Sequence, residues 1–457
     1  MGTPAPVFDP RAVVEGRTPG RARVGVIVGI IVAALCVLLV FGIELAEAKA
    51  SGHSAAPFFI ALPLALAPVP LLVSVVLFID RLEPEPRINL VFGFLWGAGI
   101  AALAAIIINT AGLEYITQPA LGASAGEYVS ATAGAPVVEE TLKGLFLVWL
   151  LRWRRQELDG PTDGIVYAAM VGIGFAMTEN IGYYINAEIN PVHGGAQLLG
   201  YTFVLRGVLS PFLHPTFTSM TGIGAAYAAS HRNRDWALPL GWVAAISLHA
   251  MWNGLSIFGL VGTLVAYVFL LVLLSVLYQV IRADRRRIVS LIQHYLPGYE
   301  GTGLVTDWDI RMLSSLPSRR TARIWARSTG GLPAASAMGD YQLAATELAL
   351  LHRKAERGVI SRRQFSQGQQ GLLTLMQQAR GQFLRRQPAP PPTPWTEAGA
   401  SADTSAFTQP MAYRATVPTP VMPRATPGTS PWAPRGGSAP RGGSTPRGGS
   451  TPRGPER

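Results

Sequence analysis

Two adjacent glutamates and a nearby lysine lie inside an apolar stretch of this sequence. Glu139, Glu140 and Lys143 fall within residues 128–151, which are long and apolar enough to form a membrane-spanning helix. An ionisable side chain near the bilayer centre costs from about 3 to more than 10 kcal/mol, so it usually faces a cavity or a partner. Because Lys143 follows the two glutamates at helical spacing, its ammonium can keep one carboxylate ionised and leave the other as a base.

Three other apolar segments carry acidic, imidazole and amide side chains. These are Glu179 with Asn180, His214, and His249 with Asn253. Counted at about 1.5 Å per helical residue from the charged ends of their segments, the three glutamates and two histidines fall in one layer about 8 Å thick. We therefore predict that Glu139, Glu140, Lys143, Glu179, His214 and His249 form one site, with Asn180 beside Glu179 and Asn253 one helical turn from His249 and able to reach its ring.

Two prolines flank one of these histidines. Pro211 and Pro215 lie on either side of His214, and each lacks a backbone N–H, so we expect both to break the helix. Non-helical backbone at membrane depth is tolerated only where it is buried in protein or lines a water-filled cavity. The sequence therefore predicts a hydrated cavity beside His214.

Imidazoles together with carboxylates are the ligands and bases of metal-assisted hydrolysis. The Glu139-Glu140-x-x-Lys143 segment has no second histidine, so it is not the His-Glu-x-x-His motif of soluble zinc proteases. A proton- or cation-coupled transporter is an alternative, because it would use the same buried groups as a relay. Transporters of that kind commonly show paired broken helices, and this sequence predicts one break. A catalytically silent membrane scaffold is a third interpretation.

Four short segments occur in order within residues 24–283. They are Glu139-Glu140-Thr141-Leu142-Lys143, Phe175-Ala176-Met177-Thr178-Glu179-Asn180, Leu213-His214-Pro215-Thr216-Phe217-Thr218 and His249-Ala250-Met251-Trp252-Asn253. Together they resemble the PrsW family of intramembrane proteases, which is similar to the CAAX-prenyl proteases and to bacteriocin-processing membrane enzymes.

The resemblance implies cleavage of a single-span, membrane-anchored protein, such as an anti-sigma-factor-like regulator. It implies that Glu139 or Glu140 activates water. It further implies that Glu179, His214 and His249 are catalytic residues that bind a metal or orient the oxyanion, with zinc as the inferred metal. Asn180 and Asn253 would support them.

The composition is that of a membrane protein. Of the 457 residues, 49% are hydrophobic and 14% are charged, whereas charged residues make up about 25% of an ordinary soluble protein. The net charge of +11 does not accompany any nucleic-acid-binding motif, and we assign it to topology and to anionic lipid headgroups. The single cysteine, Cys36, excludes a disulfide framework within the chain.

About eight membrane-spanning helices are predicted in an all-α bundle. They cover residues 24–43, 58–79, 89–110, 128–151, 162–185, 197–229, 237–257 and 260–281. Arginines concentrate in alternate connections, so the positive-inside rule places both termini of this multi-pass cell-membrane protein in the cytoplasm.

The chain divides into four predicted regions. A cytoplasmic N-terminal segment, 1–23, precedes a protease-like membrane domain, 24–283. Residues 284–386 are expected to form a short amphipathic helix at the membrane surface and a cytoplasmic helical hairpin, with helices 341–357 and 362–384 joined at Gly358. Residues 387–457 are rich in Pro, Gly, Ser and Arg and are predicted to be disordered.

Overall fold

The computed structural model describes residues 21–50, 54–190 and 195–384. These residues form helices and turns without a β-strand, which confirms the predicted all-α membrane bundle. The predictions for residues 1–20 and for the tail from 387 to 457 fall outside the described residues.

The helices are numbered here in chain order. They are α1 (Arg21–Ala50), α2 (Ala56–Leu66), α3 (Val69–Ile79), α4 (Arg87–Leu121), α5 (Ala123–Val129), α6 (Ala135–Trp153), α7 (Pro161–Ile189), α8 (Ala196–Phe203), α9 (Leu213–Ser230), α10 (Ala237–Ser256), α11 (Gly259–Tyr295), α12 (Asp307–Leu313), α13 (Leu316–Glu356) and α14 (Arg362–Phe383).

Six stretches of the described chain are long and apolar enough to cross a membrane. They are Val24–Lys49, Ala56–Ile79, Arg87–Leu121, Pro161–Ile189, Ala196–Ser230 and Gly259–Thr302. The predicted fourth and seventh spans correspond to α6 and α10, helices of 19 and 20 residues that are less apolar because they carry the glutamate pair and His249. The number of eight spans therefore stays a prediction.

Helix α7 forms the centre of the bundle. In its most apolar window 94% of the residues are buried, against 17 to 44% in the other five apolar stretches. Glycine allows a neighbouring backbone to approach it, since a Cβ at Gly172 would lie 2.6 Å from the backbone nitrogen of Pro215. Close contact between helices through small residues is typical of membrane bundles. At this position it brings the start of α9, including His214, against α7.

The stretch from α8 to α9 is interrupted at mid-length, as predicted. Helix α8 continues as a π-helical turn, Val204–Leu209, and regular geometry then stops at Ser210 before α9 begins at Leu213. Pro211 lies in this interruption. The expectation that Pro215 also breaks the helix was wrong, because Pro215 lies in the first turn of α9, where a missing N–H leaves no intrahelical bond unmade.

The region after the membrane helices has a hydrophobic core of its own. Ile288, Leu291 and Ile292 pack in this core with residues of α13 and α14. The expectation of a separate surface helix there was wrong, because these three residues belong to the end of α11, which runs on from the membrane region. Helix α13 is broken at Gly330 and Gly331, whose backbone angles are not helical. The predicted hairpin is formed by the part of α13 after this break and by α14, with Gly358 at φ +65° in the connection.

One buried arginine connects this core to the loop between α3 and α4. Arg319 donates to the carbonyl oxygens of Leu313 and Leu82 at 2.8 and 3.0 Å and to the hydroxyl of Thr346 at 2.8 Å. Burial lowers the pKa of Arg319 to about 10. The three neutral acceptors compensate its desolvation, since buried donors are costly only when they lack partners.

Candidate active site

The predicted site residues from four helices converge. Helix α6 supplies Glu139, Glu140 and Lys143, α7 supplies Glu179, α9 supplies His214 and α10 supplies His249. The His214 and His249 rings meet edge to face with their centroids 5.2 Å apart. The side chains that we expected to lie in one polar layer therefore contact one another directly.

Lys143 is fully buried and lies between the two glutamates. Its Nζ is 2.8 Å from Oε1 of Glu140, 3.4 Å from Oε2 of Glu139 and 3.0 Å from Nδ1 of His214. The ammonium also lies over the Phe175 ring, 3.9 Å from its centroid. One cation thus compensates two carboxylates, and the aromatic face adds a further favourable contact.

Glu140 is surrounded by donors. Besides Lys143, the Thr218 hydroxyl donates to Oε2 at 2.9 Å and Nδ1 of His249 lies 3.1 Å from Oε1. Its carboxylate is completely buried. These bonds hold Glu140 as an ionised anchor and fix the orientation of the His249 ring.

Glu139 has fewer and longer contacts. The Asn109 amide donates to its Oε1 at 3.4 Å, and its Oε2 lies 4.0 Å from Nε2 of His249. Because Nδ1 of His249 is engaged with Glu140, the second ring nitrogen faces Glu139. Of the two adjacent glutamates, Glu139 is thus the one available to a water molecule or a metal ion.

His214 is oriented by the third carboxylate. Its Nε2 lies 2.8 Å from Oε2 of Glu179, and Lys143 can only donate to its Nδ1. With Nδ1 as the acceptor, a neutral His214 carries its proton on Nε2 and donates it to Glu179. Each histidine is therefore fixed by its own glutamate.

Arg206 is a site residue that the sequence reasoning missed. It forms an ion pair with Glu179, donates to Oδ1 of Asn180 at 2.7 Å and stacks on Tyr183 at 3.6 Å from the ring centroid. A lone arginine inside the apolar stretch before Pro211 was the available signal, by the same rule that singled out the glutamates. Asn180 thus supports the site through Arg206.

Asn253 has a different partner from the one expected. Its amide donates to the carbonyl oxygen of Ala131 at 2.9 Å, and the side chain lines the cavity described below. It connects α10 to the π-helical turn before α6 and has no bond to His249 among the described residues.

A cavity of about 520 Å³ opens beside His214. Its polar lining includes Asn180, Arg206, Ser210, His214 and Asn253. Its apolar lining comes from several helices and includes Leu72 of α3, Met177 of α7, Trp252 of α10 and Tyr267 of α11. The interrupted helix contributes Ser210 and Pro211 to the wall, which agrees with the predicted cavity at this break.

The donor set fits a divalent metal ion such as Zn²⁺. Ligand atoms of Glu139, His214 and His249 all lie within 4.8 Å of one another, and all three residues are buried. Nδ1 of His249 contacts Glu140, which leaves its Nε2 for a metal ion in the usual arrangement behind metal-bound histidines. Nε2 of His214 contacts Glu179, and its Nδ1 accepts from Lys143, so a metal ion would take the place of the ammonium at that nitrogen. The predicted third ligand, Glu179, instead holds His214 and Arg206, so the geometry favours Glu139 in its place.

One segment has the spacing of a serine hydrolase motif. Residues 122–126 read Gly-Ala-Ser-Ala-Gly. In hydrolases with that motif the serine lies in a sharp turn between a strand and a helix. Here Ser124 is exposed in the first turn of α5, and no strand occurs in the described residues, so this motif does not have its functional context.

The chain is similar to known proteins across its membrane region. Residues 85–278 match the family model described as PrsW family intramembrane metalloprotease. Protease PrsW of Oceanobacillus iheyensis is 29% identical over 168 residues, which cover 36% of this chain and 71% of that protein. Protease PrsW of Geobacillus kaustophilus is 28% identical over 178 residues, covering 38% and 70%. No solved structure is significantly similar to the chain.

Proposed function

Since its membrane region belongs to the PrsW family of intramembrane metalloproteases, the chain is a multi-pass membrane peptidase, and we propose that Glu139, His214 and His249 form its hydrolytic centre. One observation carries the proposal: Glu139 faces two imidazoles that are each held by a separate carboxylate. This arrangement concentrates a base and two nitrogen ligands at one point beside a cavity.

The substrate is a membrane protein, cut within the bilayer. We propose a single-span protein, such as an anti-sigma-factor-like regulator, because the cavity of about 520 Å³ beside His214 has room for a short unwound peptide segment. We also propose that both termini are cytoplasmic, since the arginines follow that topology. Within this scheme residues 24–283 are the protease domain and 284–386 a cytoplasmic attachment.

In the proposed reaction Glu139 accepts a proton from a water molecule in the cavity. The resulting hydroxide attacks the peptide carbonyl carbon, and the same carboxylic acid returns the proton to the departing amine. Lys143 supports both states, because its ammonium offsets the charge of Glu139 while it remains bound to Glu140. Glu140 stays an ionised anchor throughout.

The other polar residues orient the reacting groups. Glu140 fixes His249, and Glu179 fixes His214. Arg206 lines the cavity, and a guanidinium carries five N–H donors, so it can bind a substrate carbonyl oxygen or the oxyanion that develops from it. Glu139, His214 and His249 would hold a metal ion, which would polarise that carbonyl and acidify the water, while the carboxylate oxygen of Glu139 that does not bind the ion would accept the proton.

The direct test is cleavage of a single-span membrane protein by the full chain reconstituted in lipid nanodiscs. Glu139→Gln keeps the shape of the side chain but removes the base, and general-base catalysis is worth about 10² to 10⁴ in rate. We expect no detectable cleavage by this variant and full cleavage by Glu114→Gln, whose side chain is exposed and outside the site.

The thermal unfolding midpoints of both variants should match the wild type, which separates lost chemistry from lost folding. Full activity of a folded Glu139→Gln protein would remove the proposed centre.

A further inference from the structure

A second cavity lies at the arginine-rich end of the bundle, where the loop after α6 meets the hairpin. It has a volume of about 190 Å³ and is formed by residues of the bundle and of α13 and α14. Five of its lining residues are basic, namely Arg155, Arg287, Arg353, Lys354 and Arg357. Asp159 supplies the one carboxylate among the described lining residues.

Several of these cations are bonded to neutral acceptors. Arg155 donates to the carbonyl oxygens of Ala228 and Ala229 at 2.6 and 3.1 Å, and Arg357 donates to that of Ser230 at 3.2 Å. A carbonyl oxygen satisfies an N–H group but does not neutralise a guanidinium. Over the described ranges, neither Arg155 nor Arg357 has a carboxylate within ion-pair distance.

The remaining cations have acidic neighbours. Arg287 pairs with Asp284 at 3.0 Å, Arg353 pairs with Glu356 at 3.2 Å, and Lys354 pairs with Asp159. Even so, Nε of Arg287 is buried and has no hydrogen-bond acceptor in the described part of the chain. A buried donor without an acceptor is costly, so this atom could donate to a ligand in the cavity, such as an anion.

The electrostatics of the cavity agree with that indication. Burial and the nearby charges of Arg353 and Arg287 lower the pKa of Arg357. Like charges held this close destabilise one another, and a bound anion would relieve the repulsion.

We propose that this cavity binds a phosphate-bearing anion between the membrane bundle and the hairpin. Guanidinium groups match phosphate oxygens in a bidentate geometry, and here they reach the cavity from both sides, with Arg155 and Arg287 on one and Arg353 and Arg357 on the other. Basic pockets at the membrane surface bind the headgroups of anionic lipids. A soluble phosphate compound offers the same chemistry.

Binding is tested on the full chain in nanodiscs, with two arms that distinguish these sources. In the first arm, phosphatidylcholine nanodiscs are titrated calorimetrically with inorganic pyrophosphate. In the second arm, nanodiscs also contain phosphatidic acid, and native mass spectrometry measures how much of that lipid stays with the protein. Binding in the first arm assigns a soluble ligand, and binding in the second assigns a lipid headgroup.

Arg357→Gln is the variant that tests the cavity. We expect it to weaken binding about tenfold, the effect of losing one charge-assisted hydrogen bond. Arg363→Gln, an exposed arginine of α14 outside the cavity lining, should bind as the wild type does. If Arg357→Gln does not fold, Arg353→Gln replaces it, because that side chain is 40% exposed.

Hydrogen exchange gives an independent readout. Bound anion should slow amide exchange around Arg357 in the connection between α13 and α14, and this should not depend on proteolytic activity. Absence of binding in both arms, or wild-type affinity in the folded cavity variant, would overturn the proposal.

Discussion

Two clusters of possible metal-ligating side chains in the described structure have similar spacing and different chemical groups. In each, three side chains bring possible metal-ligand atoms within 4.8 Å of one another. The first contains Glu139, His214 and His249, and the second contains Glu83, Asp159 and Glu347. A lysine pairs with acids in each: Lys143 with Glu139 and Glu140, and Lys354 with Asp159.

The two clusters differ in their donors and in their position. The first is buried within the membrane bundle, includes two imidazoles and adjoins a cavity of about 520 Å³. The second is partly buried, has carboxylates as its three ligand groups and links the loops at the end of the bundle to α13. A lysine among acids is common to both clusters, so it does not by itself identify a reactive site. The two imidazoles and the adjoining cavity are what distinguish the proposed hydrolytic centre.

Replacing the lysine should have the largest effect in the membrane cluster. Lys143→Met leaves Glu139 and Glu140 buried without a cation, and breaking a buried ion pair in this way typically costs about 3 to 5 kcal/mol. We expect a large fall in the thermal unfolding midpoint of the detergent-purified protein. Adding Glu140→Gln to the same chain should restore much of the loss, whereas two independent effects would simply add.

The second prediction concerns metal affinity. Glu140→Gln removes the carboxylate that orients His249, and substitutions behind a metal-bound histidine weaken metal binding about 10- to 100-fold. Competition with a zinc chelator measures this on the purified protein. Glu347→Gln, the matched change in the other cluster, should leave zinc affinity unaltered. Equal losses of zinc affinity in both variants would contradict the assignment of metal binding to the first cluster.

The third prediction applies the lysine substitution to the second cluster. Lys354→Met removes the ion pair with Asp159 and a bond to the Gln156 carbonyl oxygen at 3.1 Å. Because the cluster is partly exposed, we expect a loss of about 1 kcal/mol. Faster hydrogen exchange in α13 and α14, with cleavage activity unchanged, would show that Lys354 attaches the hairpin to the membrane bundle. Loss of cleavage without loosening of the hairpin would contradict that role.

The smallest expected effect is a pH dependence of the hairpin. Burial, together with Asp159 and against the opposing influence of Lys354, raises the pKa of Glu347 from 4.5 to about 7. A carboxyl whose pKa is higher in the folded state favours folding while protonated, so its contribution is lost as pH rises from about 5 through 7. Protection factors in α13 should fall over that range.

Glu347→Gln, which cannot ionise, should flatten this pH profile. An unchanged profile in that variant would assign the dependence to another group of the cluster. Glu83 is the first candidate, because burial also raises its pKa well above 4.5, with acidic neighbours including Asp163 and Glu347 adding to the effect.

Much of the site followed from one physical rule. Charged side chains are so costly in a bilayer that Glu139, Lys143, Glu179, His214 and His249 could be selected without any structure, and their shared depth predicted their contact. The cost of a charge in the bilayer also singles out Arg206, which the sequence analysis did not include among the site residues. The sequence could not predict which carboxylate faces which imidazole. That pairing depends on how each helix is rotated about its axis, and packing rather than depth determines the rotation.

The fold was predictable to a similar extent. Apolar length located the membrane segments and a glycine located the hairpin turn at Gly358. Proline was ambiguous, because its effect depends on its place in the helix: Pro211 lies in a break and Pro215 in a first turn. The end of α11 was misassigned because its apolar spacing fits a membrane surface as well as the protein core that it contacts.

Helix α11 is continuous from Gly259 to Tyr295. Tyr267 of this helix lines the cavity beside the proposed hydrolytic centre, and Leu291 and Ile292 of the same helix are embedded in the core of the hairpin. The helix has 37 residues and is about 55 Å long. A substrate in the cavity and the hairpin would therefore contact the same continuous helix.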